Sequence, residues 1–294
     1  MVEGRGEGEE KSVLRIASLL CVVVCVAATT PARAADDPAL ETAFGIISNP
    51  APGPAQTVGR HTNGCVLGAE ALAPVGPGYR VVHPNQSRFW GHPALIATIR
   101  GLGESVAEQG LGLMLVADLG QPRGGPISGH GSHEVGLDAD IRLNPWTEGE
   151  VPAAEIADPT EVYYVDDARS TAVNAKWGVA QTALVGSAAE RPEVERIFAH
   201  PAIKKALCEN ATGDWNWLGK VRAWYGHRAH FHIRLGCPIG SPDCVEQSPV
   251  PKGDGCGAEL DWWFTDEPYA PADPNAPKPV PPPLPAACAA LLPQ

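Results

Sequence analysis

Two histidines and two aspartates lie within eleven residues of one glycine-rich segment, and all four side chains are of types that bind metals. The segment runs from Gly129 to Ile141 and supplies His130, His133, Asp138 and Asp140. Imidazole nitrogens and carboxylate oxygens are ligands of Zn²⁺, and a catalytic zinc site uses three protein ligands and keeps a fourth position for water. This segment therefore predicts part of a zinc site that another segment completes.

The completing segment is 227–235, which contains three histidines. Alternate side chains of a strand point to the same face, so His230 and His232 share one face while the residues after each of them point to the core. The same alternation puts Asp138 and Asp140 on one face of an earlier strand. Two such strands side by side can present a carboxylate and two imidazoles to one point.

Apolar periodicity predicts the elements that hold these segments. A buried strand is expected at 111–118, and alternating patterns indicate strands at 137–143 and 229–235. Helical spacing predicts helices at 93–109, 173–186 and 192–208. The expected fold class is α+β, with a small antiparallel sheet that carries the zinc site, flanked by helices and long disulfide-tied loops.

The charge of the chain excludes some partners. Its 294 residues carry a formal net charge of −12, whereas a nucleic-acid or anionic-membrane surface rewards Lys and Arg. The apolar content of 44% is ample for a packed core.

The first residues resemble a signal peptide. Lys11 and Arg15 precede an uncharged run at 16–28, and Ala32-Arg33-Ala34 follows as a small-x-small cleavage site. The uncharged run is shorter than the roughly twenty residues that span a bilayer. We therefore expect a signal peptide at 1–34, no membrane anchor after its cleavage, and export of a single domain at 35–294 into an oxidising compartment.

Six cysteines remain in that domain, and an even number in an exported protein indicates three disulfides. Six cysteines allow fifteen pairings, and their spacing does not choose among them. The chain is Pro-rich after Cys256, most densely at 279–285, and Cys288 beyond this stretch suggests that the tail is pinned back onto the body.

Several strings together resemble a known family. They are Gly129-His-Gly-Ser-His133, Gly136-Leu-Asp-Ala-Asp-Ile141, Pro201-Ala-Ile-Lys204, Lys220-Val-Arg-Ala-Trp224, His227-Arg-Ala-His-Phe-His232 and Gly253-Asp-Gly-Cys-Gly-Ala-Glu-Leu260. The chain is similar over nearly all of its mature length to penicillin-insensitive murein endopeptidases, which are zinc peptidases that act on D-amino-acid peptides of bacterial cell walls.

The resemblance implies a role for each matching residue. His133, Asp140 and His232 would hold the catalytic zinc ion. His230 would act as a base beside the metal, and His227 would lie next to the reacting groups. The implied substrate is peptidoglycan, cleaved in the periplasm at the cross-link between D-alanine and meso-diaminopimelate.

The resemblance also implies the disulfide pairing and a second metal. The implied disulfides are Cys65–Cys288, Cys208–Cys256 and Cys237–Cys244. Family members can bind a second metal near a subunit interface through the equivalent of His130 together with a further Asp and His. The corresponding segment 166–171 contains Asp167 but no histidine, so the second metal and the homodimer stay open.

Three other functions compete with the endopeptidase. A zinc D,D-carboxypeptidase that removes a terminal D-alanine would use the same ligands. A non-catalytic wall-binding module would require the loss of a ligand or base, and none is lost. Ser132 beside His133 lacks the nucleophile-elbow context of a serine hydrolase. A zinc peptidase needs no serine nucleophile, which leaves β-lactams nothing to acylate.

Overall fold

A seven-stranded mixed sheet organises the chain. The computed structural model describes residues 38–210, 216–273, 276 and 282–293. The strands are β1 Gln56–Arg60, β2 Asn63–Leu67, β3 Glu70–Ala71, β4 Val75–Gly76, β5 Tyr79–Val81, β6 Trp90–Gly91, β7 Met114–Val116, β8 Asp138–Arg142, β9 Val194–Ala199, β10 Val221–Ala223 and β11 His230–Leu235. The helices are α1 Pro38–Gly45, α2 Pro93–Glu108, α3 Ala153–Ala157, α4 Val179–Ala189, α5 Pro201–Asn210, α6 Ala258–Trp262 and α7 Ala286–Ala289.

The order in the main sheet is β10-β9-β11-β8-β7-β5-β4. The three strands nearest the histidines, β9, β11 and β8, pair antiparallel, while β10 pairs parallel with β9 and β5 parallel with β7. The expected α+β class is confirmed, and the sheet is larger than the small one expected. Two further two-stranded sheets, β1-β2 and β3-β6, lie outside it.

One face of the sheet is apolar because every second residue of its strands has an apolar side chain. Ile141, Ile197, Phe231 and Ile233 are fully buried in the main hydrophobic core. Burying such side chains contributes about 1.5–3 kcal/mol each. The intervening residues of β8 and β11 are polar, so the opposite face can carry chemistry.

Helix α2 covers the apolar side, and local signals account for it. Its N-terminal residue is preceded by His92, whose Nδ1 accepts a hydrogen bond from Ala94 N–H at 3.1 Å. Pro93 occupies the first helical position, where its fixed φ and missing N–H cost nothing. The buried face consists of Leu95, Ile96, Ile99, Leu102 and Val106 at helical spacing. The predicted helix over 93–109 is confirmed.

The helix predicted over 192–208 is wrong in its first half. Residues 194–199 form β9, an inner strand that pairs with β11 on one side and β10 on the other. Pairing on both edges outweighs local helix propensity. The helix starts only at Pro201, after His200 Nδ1 accepts a hydrogen bond from Ala202 N–H at 3.1 Å. The helix predicted over 173–186 begins later, at Val179.

Three disulfides tie loops and tail to this body. They are Cys65–Cys288, Cys208–Cys256 and Cys237–Cys244, the same pairs that the family resemblance implies. Cys65 lies in β2 and Cys288 in α7, and the two pack with Phe44 and Val58 in a small separate core. The tail is therefore held against the β1–β2 hairpin.

The described residues belong to one compact unit. Within them, no helix combines the length and apolar character needed to cross a membrane. The predicted signal peptide at 1–34 and residues 279–281 of the Pro-rich stretch at 279–285 lie outside the described residues.

Candidate metal centre

The polar face of the sheet is built by cross-strand register. His232 of β11 lies opposite Asp140 of β8, and Arg234 lies opposite Asp138. Directly opposed side chains of antiparallel strands have Cβ atoms about 4.5–5.5 Å apart. The two carboxylates and the histidine are thus brought together by strand pairing alone, as the alternation in the sequence predicts.

The loop before β8 adds two imidazoles. Gly136 turns this loop with φ +70°, and a Cβ there would lie 2.9 Å from the backbone nitrogen of His92. His133 itself has φ +73°, a region that non-glycine residues rarely adopt and that concentrates at functional sites. Its backbone N–H donates to Asp138 Oδ2 at 3.0 Å, which holds this conformation.

The tautomer of His133 follows from its partner. Nδ1 lies 2.7 Å from the carbonyl oxygen of Leu119 and must donate its proton there. Nε2 then carries a lone pair and faces Asp140 Oδ1 at 3.5 Å. Burial lowers the pKa of His133, which favours this neutral form. A neutral imidazole oriented by a carbonyl group is the usual form of a metal-binding histidine.

The buried lone pairs at this point indicate a metal. His133 Nε2 and Asp140 Oδ1 are both buried, and neither makes a hydrogen bond of good geometry among the described residues, although His133 Nε2 and His232 Nδ1 lie 3.5 Å and 3.2 Å from Asp140 Oδ1. One ligand atom from each of His130, His133 and Asp140 lies within 4.8 Å of the other two. Unsatisfied buried polar atoms are costly. Nitrogen and oxygen donors in this number fit Zn²⁺.

His232 lies beside this cluster. Its ring centroid is 4.6 Å from that of His133, and its Nδ1 is 3.2 Å from Asp140 Oδ1. The structure therefore brings together the three ligands expected from the sequence, His133, Asp140 and His232. The group of ligand atoms that lie within 4.8 Å of one another nevertheless contains His130 and not His232. The two ring nitrogens of His232 face Asp138 and Asp140.

Asp138 contacts several polar groups on this face of the sheet. It is fully buried and accepts hydrogen bonds from Arg234 Nε at 2.6 Å and Arg234 Nη2 at 3.2 Å. His61 Nδ1 lies 3.2 Å away and His232 Nε2 3.0 Å away. Burial raises the pKa of Asp138, but Arg234 and His61 lower it more, to well below its usual range. These contacts suit Asp138 to support a ligand rather than to act as one.

Asp140 is held ionised by the imidazoles around it. Burial opposes ionisation, yet His230 and His133 bring the pKa of Asp140 well below its usual range. The pKa of His232 is raised, because Asp138 and Asp140 outweigh the effect of burial. A carboxylate that attracts protons onto neighbouring imidazoles in this way equally attracts a cation.

Two more histidines line the open side of the centre. His230 is partly exposed, and its Nε2 lies 3.7 Å from Asp140 Oδ2. The His227 ring centroid is 5.0 Å from that of His230, and His227 Nδ1 donates to the carbonyl oxygen of Tyr225 at 2.6 Å. Burial, followed by the charge of His230, lowers the pKa of His227 to about 3. His227 is therefore neutral at pH 7.

His130 belongs to the same centre. Its Nε2 lies 3.2 Å from Asp140 Oδ2 and 3.4 Å from Asp118 Oδ2, and the pKa of His130 is raised because Asp140 outweighs the effect of burial. In the part of the chain that the structure describes, the ligand group containing His130 does not include Asp167. A separate second metal on His130 therefore remains a hypothesis of the sequence.

Sequence reasoning missed His61 and Asp118. Asp118 accepts from Arg88 Nη1 at 3.0 Å besides facing His130. Asp118 could have been found from the sequence as an acidic side chain at the end of a buried apolar run. His61 lies in the β1–β2 turn, and nothing in its spacing links it to Asp138.

Comparison with known proteins agrees with the motifs. A family model described as penicillin-insensitive murein endopeptidase matches residues 57–293. A protein of that name from Klebsiella pneumoniae subsp. pneumoniae is 45% identical over 251 residues, which cover 84% of this chain and 89% of the relative. One from Salmonella arizonae is 43% identical over the same shares.

Proposed function

Because this chain belongs to the penicillin-insensitive murein endopeptidase family, we propose that it is a zinc-dependent D,D-endopeptidase of peptidoglycan. It hydrolyses the cross-link between D-alanine and meso-diaminopimelate in the periplasm. The observation that carries the proposal is the buried Nε2 of His133, which has no hydrogen-bond partner among the described residues and lies 3.5 Å from Asp140 Oδ1, itself 3.2 Å from His232 Nδ1.

His133, Asp140 and His232 would hold the ion, and neighbouring groups orient two of these three ligands. The Leu119 carbonyl keeps the Nε2 lone pair of His133 available, and Asp138 fixes the ring of His232. Zinc supplies a Lewis acid and lowers the pKa of water to about 7. Asp140 adds the negative charge that retains a dication.

The proton chemistry is assigned to His230. It is the most exposed of the imidazoles that face Asp140, so water and substrate can reach it. In this position it accepts a proton from the attacking water and returns it to the leaving amine.

His227 acts beside it as a neutral group. Its Nδ1–H is engaged with Tyr225, which leaves Nε2 as an acceptor for a donor N–H. A charged imidazole here would repel the metal, and the low pKa of His227 prevents that charge at pH 7.

The test is digestion of purified cross-linked muropeptide dimers, followed by mass spectrometry. We expect cleavage to stop with a chelator and to return with added zinc. His133→Ala should abolish both zinc binding and cleavage. His83→Asn is the matched control, because His83 also has a positive φ, +54°, but has no part in the centre, and it should behave as wild type.

Three outcomes would contradict the proposal. An active, zinc-free His133→Ala variant would remove the metal from the reaction. Loss of only the terminal D-alanine from a linear pentapeptide, with the dimer left intact, would identify a carboxypeptidase instead. Binding to cell walls without any product would revive a wall-binding module.

A further inference from the structure

A second concave site opens on the same sheet face, next to the metal centre. It is a cavity of about 360 Å³ between β9, β10 and α6. Its lining includes two arginines, three tryptophans and one carboxylate, namely Arg196, Arg222, Trp224, Trp262, Trp263 and Glu259. None of these side chains has a role in the chemistry proposed above.

Strand register joins this cavity to the metal centre. Phe198 of β9 lies opposite His232 on one side and Arg222 on the other. The Phe198 ring centroid is 5.3 Å from that of His232 and 5.6 Å from that of Trp224. A single aromatic ring thus separates the cavity from a zinc ligand. Whatever fills the cavity lies close to the bond being cut.

The cavity carries excess positive charge in a chain of net charge −12. Arg222 pairs with the carboxylate of Glu259. Arg196 has no carboxylate partner of its own among the described ion pairs, and its Nη2 donates to the Ser248 carbonyl at 2.8 Å. Its Nε is buried and lacks a hydrogen-bond partner in the described part of the chain. The cavity therefore contains two guanidinium groups but only one carboxylate, which pairs with Arg222.

The walls of the cavity strengthen any charge pairing inside it. The Trp263 ring centroid lies 5.2 Å from that of Trp262 and 6.0 Å from that of Trp224, so the three indole rings pack against one another. Indole surfaces displace part of the water around a bound group and lower the local dielectric constant, which makes a charge-assisted hydrogen bond stronger. An anionic ligand with an apolar body suits this arrangement.

We propose that this cavity is a substrate subsite that binds a carboxylate-bearing residue of the stem peptide adjacent to the cleaved bond. The inference rests on the proposed function. Arg196 is the group that receives the carboxylate, because it lines the cavity and has no carboxylate partner among the described ion pairs. Neutral sugar rings of the glycan strand would leave that charge unmatched, which favours the peptide as the occupant.

The experiment measures binding without turnover. Zinc-free protein is titrated with a synthetic stem peptide that ends in D-alanine, and tryptophan fluorescence reports occupancy. The same peptide with its internal carboxylates converted to carboxamides is the matched ligand. A hydrogen bond to a charged group contributes enough for roughly a tenfold to a hundredfold preference for the free carboxylates.

Three variants test which side chain causes the preference for free carboxylates. Arg196→Gln should reduce the preference to near one. Arg191→Gln, which removes a partly exposed charge paired with Glu193 outside the cavity, should keep it. Glu259→Gln changes a half-exposed side chain and frees Arg222, so it should tighten binding of the free-carboxylate peptide several-fold.

Equal binding of the two peptides to wild type overturns the subsite, as does an unchanged preference in a folded Arg196→Gln variant. Tighter binding of a murein oligosaccharide than of the peptide also overturns it. A preserved carboxylate preference in a protein that fails to cleave muropeptide dimers refutes the endopeptidase and leaves the subsite standing. The two proposals therefore fail separately.

Discussion

Replacing Asp138 by asparagine removes one buried charge from under the metal centre while keeping the size of the side chain. The carboxylate accepts from Arg234 through two nitrogens and from the backbone N–H of His133, and it faces His61 and His232. Asparagine retains one acceptor oxygen. Its NH2 group replaces the second oxygen and would face the N–H donors that this oxygen now accepts from.

Two magnitudes follow from these contacts. Arg234 is nearly buried and loses its only carboxylate partner among the described ion pairs, and breaking a buried pair on one side costs about 3–5 kcal/mol. For a domain of this size that lowers Tm by roughly 6–20 °C. The His232 ring also loses its support, and loss of such a partner weakens metal binding about 10- to 100-fold.

Zinc affinity is measured by competition with a chromophoric chelator, and stability by thermal unfolding of the zinc-free protein. Lys204→Met is the control. Buried Lys204 donates to the carbonyl groups of Leu218 and Asp254, so its loss costs about 2–6 kcal/mol without touching the centre. An Asp138→Asn variant that is destabilised like the control yet binds zinc as wild type would refute the supporting role of Asp138.

Two further changes test the surroundings of the centre. Burial raises the pKa of Glu134 to about 8, so the folded state keeps a proton that the unfolded state loses near pH 4.5, and wild-type stability falls as pH rises between these values. The stability of Glu134→Gln relative to wild type should therefore increase from pH 5 to 8, by up to about 1.4 kcal/mol of unfolding free energy per pH unit, as measured by denaturant unfolding at each pH. The double change Cys65→Ala and Cys288→Ala opens a link between residues 223 apart and should cost about 2–5 kcal/mol in denaturant unfolding.

Each of these has a clear contrary result. A pH-independent difference between Glu134→Gln and wild type would mean that the carboxyl is ionised in the fold. A double cysteine variant that unfolds at the wild-type denaturant midpoint would mean that the tail adds nothing to stability.

The sequence predicts the parts of the site that depend on strand alternation. Asp138, Asp140, His230 and His232 share a face because a strand has a period of two, and the structure has them on paired strands. Helix α2 was equally predictable, because its capping residue and apolar stripe are local.

Other parts depend on contacts that no local pattern records. Residues 194–199 are mixed in propensity, and pairing with strands far along the chain decides that they form β9. His61 reaches Asp138 across 77 residues. Likewise, the tight turn at His133 depends on a backbone hydrogen bond to Asp138, which the spacing of histidines does not reveal.

The Cys65–Cys288 disulfide imposes an order of assembly on the molecule. The β1–β2 hairpin supplies His61 to Asp138 and the Gly64 N–H to Glu134, yet the hairpin is locked by a cysteine that is synthesised 223 residues later. The disulfide cannot form until Cys288 has been synthesised and the chain has met an oxidant. In reducing surroundings the β1–β2 hairpin lacks this cross-link. The contacts that it makes with Asp138 and Glu134 are therefore stabilised by the disulfide only after the chain has been oxidised.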